Sequence, residues 1–226
     1  MSDSPTTERA SWAAIFDWDG VIIDSSRHHE ESWERLAEEL AKPLPQGHFK
    51  KGFGRKNEFI IPEILGWAHD PEEIHQHSLR KEELYRIIVA EWGLDPLPGV
   101  RTWLQRLQSA GVPCAIGSST HRANIELSLD LIHLREFFQF IVTSEDVKQG
   151  KPHPDVFLKA AAGLGYAPEH CVVFEDAHVG IAAARAGGMK VVGVATTHPA
   201  SELGDADIAV HQLDELQPAQ LAAWFH

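Results

Sequence analysis

The sequence predicts an α/β fold: a doubly wound parallel sheet covered by helices on both faces, with an α-helical cap inserted after its first strand. Three observations predict it. Short apolar runs alternate with amphipathic helical patterns along most of the chain, as expected of strands buried on both faces by crossover helices. One segment, residues 26–96, breaks that rhythm and carries helical patterns alone. Acidic, hydroxylic and basic residues gather just after the apolar runs, where open parallel sheets bind their ligands.

The first apolar run, 13–16, leads into "FDWDGVIID", which places Asp17 and Asp19 one residue apart, then Gly20, then Asp24. Helical patterns follow at 26–40, 58–65 and 71–91, punctuated by "KPLPQG" and "GFG". Hinges are expected near 23–26 and 95–99, with Asp24 holding the first turn. Helix and strand patterns then alternate: helices at 100–110, 122–131, 154–163 and 179–186, and strands at 112–117, 140–143, 171–175, 190–194 and 208–210. "ARAGG" supplies glycine where a helix ends. The predicted organisation is a core domain of residues 1–25 and 97–226 and a cap domain of residues 26–96.

With 226 residues, 43% of them hydrophobic, the chain suits one domain bearing an insertion. A net charge of −13 opposes binding to nucleic acid or to an anionic membrane. Cys114 and Cys171 both fall in apolar runs and read as buried free thiols of a reducing compartment. "MSDSPTTERASW" has no apolar stretch of the signal-peptide kind, and no apolar run is long enough to span a membrane. A cytoplasmic monomer with no nucleic-acid or membrane partner is expected. The fourteen histidines show no tight metal-ligand spacing.

The strand ends deliver a consistent chemistry. Asp17 and Asp19 follow the first strand; Ser118, Ser119 and Thr120, then His121 and Arg122, follow the second; Lys151 follows the third; Glu175 and Asp176 follow the fourth. Four acids cannot share a site unpaired without raised pKa values. A hard cation resolves this, and Mg²⁺ prefers oxygen ligands while retaining water and phosphate oxygens. Beside it, one aspartate can attack phosphorus to form an aspartyl-phosphate. The other, two positions on and on the same side of an extended chain, can pass a proton to the leaving oxygen and take one from the incoming nucleophile. Ser118, with Ser119 beside it, and Lys151 would hold the phosphoryl oxygens. A small phosphorylated metabolite is the expected partner.

"FDWDGVIID", "IGSST", "GKPHPDVFLKAA" and "VVFEDAHVGIAAARAGG" together resemble the four motifs of the haloacid dehalogenase (HAD) superfamily of phosphotransferases, in the right order and across the whole core. The resemblance implies a Rossmann-like core, Asp17 as nucleophile and Asp19 as general acid/base. It implies Mg²⁺ held by the Asp17 side chain, the Asp19 carbonyl and Asp176, with Glu175 direct or through water, and phosphate held by Ser118 and Lys151. Dehalogenases of the superfamily lack the second aspartate of the first motif, so Asp19 argues against dehalogenation. The helical insertion resembles the subgroup with a four-helix cap, which includes β-phosphoglucomutase and many small phosphatases.

In that cap, His29, Lys51, Arg55 and Lys81 have a spacing similar to β-phosphoglucomutase, where an equivalent histidine and lysine aid closure and an arginine binds the non-transferring phosphate. Where those mutases carry a lysine and an asparagine after the motif serine, this chain has His121 and Arg122. The segments "GRKNE", "LGWAHDP" and "RKEELY" resemble the cap of plant phosphatases acting on a ribitylaminouracil phosphate. Hydrolysis of a small organic phosphate monoester is the leading expectation, a sugar phosphomutase the second, and a non-enzymatic phosphate-binding module the third. Trp18 is expected to pack behind the sheet, and His28 and His153 to serve no site.

Overall fold

The computed structural model describes residues 10–52 and 54–225. Most of the amino-terminal stretch read above for a leader lies outside the described residues. Six strands, β1 (Ala13–Phe16), β2 (Cys114–Gly117), β3 (Phe138–Val142), β4 (Cys171–Glu175), β5 (Lys190–Val194) and β6 (Ile208–Val210), form one sheet in the order β3-β2-β1-β4-β5-β6. Every pairing is parallel. The first strand in the chain is thus central in the sheet, and the strand order reverses beside it, which opens a crevice at its carboxyl end.

Strand alternation divides the core between the two faces. Ala14, Phe16, Ile116, Phe174 and Val192 belong to one apolar cluster, and Ala13, Ile15, Ala115, Val173 and Val191 to the other. Phe16 stacks on Phe174, with ring centroids 4.5 Å apart. Cys114 and Cys171 are buried and free of disulfides.

Between β1 and β2 lie α1 (Ser26–Leu40), α2 (His48–Gly52), α3 (Asn57–Phe59), a π-helical stretch (Ile60–Leu65), α4 (Pro71–Trp92) and α5 (Val100–Ser109). The first four helices and the π-helical stretch enclose a third cluster, including Trp33, Leu36, Ile61, Trp67 and Leu84, separate from the two beside the sheet. Asp70 caps α4 by accepting from the Glu72 and Glu73 N–H groups, with Pro71 in the first helical position. On the sheet, α5 and α6 (Arg122–Ile132) pack against the first face, and α7 (Asp155–Leu164) and α8 (His178–Ala186) against the second. A short α9 (Pro218–Ala222) follows β6. Among the described residues no helix is long and apolar enough to cross a membrane.

Two of the expected elements differ, and α2 and α9 lie outside the helices expected from the sequence. The helix read at 58–65 is split, because Pro62 lacks the N–H that an ordinary α-turn needs and the chain widens into π-helical turns. β3 starts at Phe138, before the apolar run at 140–143, and its central residues are exposed or half-buried. It is one of the two edge strands, so water reaches the positions that break its pattern.

Candidate active site

The β1 ladder continues one residue past the strand, where the Asp17 N–H donates to the Phe174 carbonyl at 2.9 Å. The chain then turns back on itself. The Ile22 N–H donates to Trp18 O at 2.9 Å and the Gly20 N–H to Ile23 O at 2.8 Å. Gly20 takes a φ of +80°, in the left-handed region that favours glycine. Trp18 is fully buried against Phe138 of the sheet. This turn leaves both aspartates at the crevice.

Lys151 is fully buried beneath Asp17. Its Nζ donates to Asp17 Oδ1 at 2.7 Å and to Glu175 Oε1 at 2.6 Å. Glu175 Oε2 accepts from the Ala177 N–H at 2.7 Å, so both its oxygens are engaged. Burial pushes the Asp17 carboxyl well above its usual range; Lys151 opposes this, while Glu175 and Asp19 add to it. Asp176 is raised by burial, then by Glu175 and Asp17. One ammonium therefore faces three carboxylates.

Asp17, Glu175 and Asp176 offer oxygen atoms that all lie within 4.8 Å of one another. Asp176 Oδ1 is buried with no hydrogen-bond partner. An all-oxygen donor set, an excess of negative charge and one orphaned carboxylate oxygen fit a hard divalent cation.

Asp19 has different surroundings. Its Oδ1 accepts from the Ser25 hydroxyl and lies 3.2 Å from His29 Nε2, and its Oδ2 accepts from the Thr120 hydroxyl. Burial alone would raise its pKa; His29, Ser25 and Thr120 instead hold it well below the usual range. Lys81 Nζ lies 2.6 Å from His29 Nδ1. An ammonium can only donate, so Nδ1 accepts and the ring proton sits on Nε2, facing Asp19. Burial, then Lys81, depresses protonation of His29, so the ring acts on Asp19 as a neutral donor. This relay joins α4, α1 and the turn after β1.

Asp17, Asp19, His29, Arg55, Lys81, Ser118 and Ser119 line one cleft of about 60 Å³ between the helices and the sheet, with Lys151 buried beneath it. The Ser118 hydroxyl accepts from the Thr120 N–H at 3.0 Å. Ser119 donates its hydroxyl to the Gly54 carbonyl at 3.0 Å, a bond from the core to the α2–α3 loop. Three expected contacts are not brought to the cleft. Lys51 is exposed on α2. Arg122 pairs with Asp146 at 2.7 Å, and its own N–H donates to Glu145, which draws it along the core surface. His121 stands at the N-terminus of α6 with no side-chain capping bond and is absent from the lining.

Glu82 is the cleft residue that sequence reasoning missed. It is 4% exposed and accepts from Asn57 Nδ2 at 2.6 Å, from Lys81 Nζ at 3.0 Å and from Asn124 Nδ2. Burial would raise it; Lys81, first among its neighbours, brings it down to about 2. Asn124 Oδ1 accepts from Arg86 at 2.9 Å, so one buried amide of α6 holds two residues of α4. In "RKEELY" Glu82 reads as part of a solvated helix face, and no local signal marks it out.

A family model described as "Haloacid dehalogenase-like hydrolase" matches residues 14–194. The chain belongs to the haloacid dehalogenase-like hydrolase family. It is 40% identical over 206 residues to the chloroplastic 5-amino-6-(5-phospho-D-ribitylamino)uracil phosphatase of Arabidopsis thaliana, covering 90% of this chain and 55% of the plant protein. It therefore spans about half the length of that relative. It is 33% identical to the β-phosphoglucomutase of Bacillus subtilis, covering 90% of this chain and 91% of the mutase. A HAD hydrolase of Entamoeba histolytica, family IA variant 3, superposes with a TM-score of 0.85 at 28% identity, covering 95% of this chain and 99% of that one. The chain is thus a HAD enzyme of the β-phosphoglucomutase-like subgroup, whose named members here include a phosphatase and a phosphomutase.

Proposed function

We propose that this HAD enzyme hydrolyses a small organic phosphate monoester through an aspartyl-phosphate on Asp17, with Mg²⁺ bound beside it. Residues 26–96 serve as the cap and residues 1–25 and 97–226 as the core. The cation would be held by the Asp17 carboxylate, the Asp19 carbonyl and Asp176, with Glu175 through water because its two oxygens are engaged. When bound it offsets the charge of Asp17 and the phosphoryl group, so that the two can meet.

In the first step an Asp17 oxygen attacks phosphorus, the ester P–O bond breaks, and the departing oxygen takes a proton from Asp19. Lys151 and the Ser118 hydroxyl hold phosphoryl oxygens. In the second step a water attacks the same phosphorus and gives its proton to Asp19. The bond to Asp17 breaks and inorganic phosphate leaves. At rest Asp19 is a carboxylate accepting three bonds, the form needed for the second step. To serve the first it takes up one proton from solvent as the ester binds, and the proton given by the attacking water in the second step replaces it.

The observation that favours hydrolysis over phosphomutation is the start of α6. A mutase has to grip a sugar bisphosphate there as well as by its second phosphate. Here Arg122 is turned away to Asp146 at 2.7 Å and His121 is absent from the cleft lining. Arg55, which lines the cleft with its guanidinium 4.5 Å over the Phe59 ring, keeps the mutase as a second reading.

A panel of phosphate esters, with phosphate release as readout and EDTA as control, tests the main reading. The ester named in the plant relative belongs on that panel, beside sugar phosphates. The mutase is tested with β-glucose 1-phosphate, Mg²⁺ and a trace of glucose 1,6-bisphosphate. Phosphate release is expected to outrun glucose 6-phosphate formation. The opposite result, abolished by Arg55→Ala while slow hydrolysis survives, would establish the mutase.

Asp19→Asn is expected to slow alkyl phosphates more than aryl ones, by a further tenfold or more. An aryl oxygen leaves with little protonation and an alkyl oxygen needs it. Equal defects on both would mean that Asp19 acts chiefly through the cation.

A further inference from the structure

The loop after β5 carries "TTHP", which the mechanism above does not use, and three consecutive residues of it reach the acidic centre. The Thr197 hydroxyl donates to Asp176 Oδ2. The Thr196 hydroxyl donates to the Gly20 carbonyl and lies 3.4 Å from the same Asp176 oxygen. His198 Nδ1 lies 3.1 Å from the Asp176 carbonyl. On its other side the Asp176 carboxylate rests on the bare Cα of Gly20, where a Cβ would stand 2.0 Å from Oδ2 and 3.2 Å from Thr197 Oγ1. The remaining oxygen, Oδ1, is the buried atom without a partner.

We propose that Thr197 is a positioning residue for the cation site, fixing Asp176 so that Oδ1, and not Oδ2, is presented to the metal. The two oxygens of a free carboxylate are equivalent, and a small rotation exchanges them. A hydroxyl that occupies one of them removes that freedom, and the contact with Gly20 leaves the group no room to swing away. Partners that orient a ligand in this way typically govern metal affinity by about 10–100-fold. The loop after β5 is thereby tied to the turn after β1, so the metal seat is built from two loops and the end of β4.

This rests on the reading that Asp17 and Asp176 hold a divalent cation. The test is Mg²⁺ titration of the whole, metal-stripped protein by calorimetry, with the Mg²⁺-induced rise in Tm as a second readout. Thr197→Val keeps the shape and removes the donor; Thr197→Ser keeps the donor. The valine variant is expected to bind Mg²⁺ about tenfold more weakly or worse, and to recover most of its kcat at saturating Mg²⁺. The serine variant is expected to stay within a few-fold of wild type. An unchanged Mg²⁺ affinity in the valine variant overturns the proposal, as does a serine variant as defective as valine, which would make the role one of packing. If the valine variant does not fold, Thr197→Ala is read in its place. Wild-type protein that takes up no Mg²⁺ would overturn the cation reading itself, a result distinct from a loss confined to the variants.

Discussion

Asp17→Asn is expected to lower kcat by at least about 10³-fold, some 4 kcal/mol of transition-state stabilisation, while leaving the fold intact. The amide matches the carboxylate in size but is a poor nucleophile, so the covalent route closes. The structure explains why the fold should survive. Asp17 is a buried acid whose charge is opposed by burial, Glu175 and Asp19, and Lys151 retains Glu175 when Asp17 is neutralised. A Tm within a few degrees of wild type, together with lost phosphate release, is the expected pair of results. A variant that keeps more than a small fraction of wild-type turnover would remove Asp17 from the role of nucleophile.

Lys151→Met carries the second large effect, and it falls on both function and stability. The methionine fills the space but leaves Asp17, Glu175 and Asp176 with no buried cation. Breaking a buried ion pair by removing one partner costs about 3–5 kcal/mol, and in a chain of this size each kcal/mol lowers Tm by roughly 2–4 °C. Turnover should fall by more than a hundredfold, since the phosphoryl charge also loses its neighbour. Added Mg²⁺ should raise the Tm of the variant more than that of wild type, because the cation relieves part of the same deficit. A large fall in Tm with an unchanged rate would make Lys151 purely structural, and an unchanged Tm and rate would remove it from the site.

Both predictions concern residues legible in the sequence, and the reason is local. Asp17, Ser118 and Glu175 each follow an apolar run that can only be a strand, and a parallel sheet brings such ends to one edge. Residues 26–96 were legible only as helices. Lys51 and Arg55 lie four positions apart, yet one is exposed and the other lines the cleft. Nothing in their spacing separates them, because the bend between α2 and α3 decides it. Glu82 and Asn124 meet across the joint between cap and core; each alone reads as a polar residue on a helix. Ser119, expected at the phosphate, lines the cleft and also donates to Gly54 across the chain, a bond that no local pattern marks. Thr197 lies in an irregular loop whose path the sequence pattern does not specify.

The position of β1 also bears on the order in which the molecule is made. Ala14 is in register with Cys114 and Ala13 with Cys171, so β1 meets neither of its partner strands until roughly half of this sequence, and then more of it, has followed. The apolar cluster among the helices between β1 and β2, by contrast, has its buried residues drawn wholly from 33–84. It can form from a contiguous stretch of nascent chain, whereas the sheet must wait for long-range closure, the slow part of folding. Asp17, the proposed nucleophile, therefore precedes its sheet partners in the chain and gains its full setting only once Glu175 has been made. A chain halted before Glu175 would carry Asp17 and Asp19 yet lack the second partner of Lys151, and would hold the apolar cluster of residues 33–84 beside an incomplete sheet.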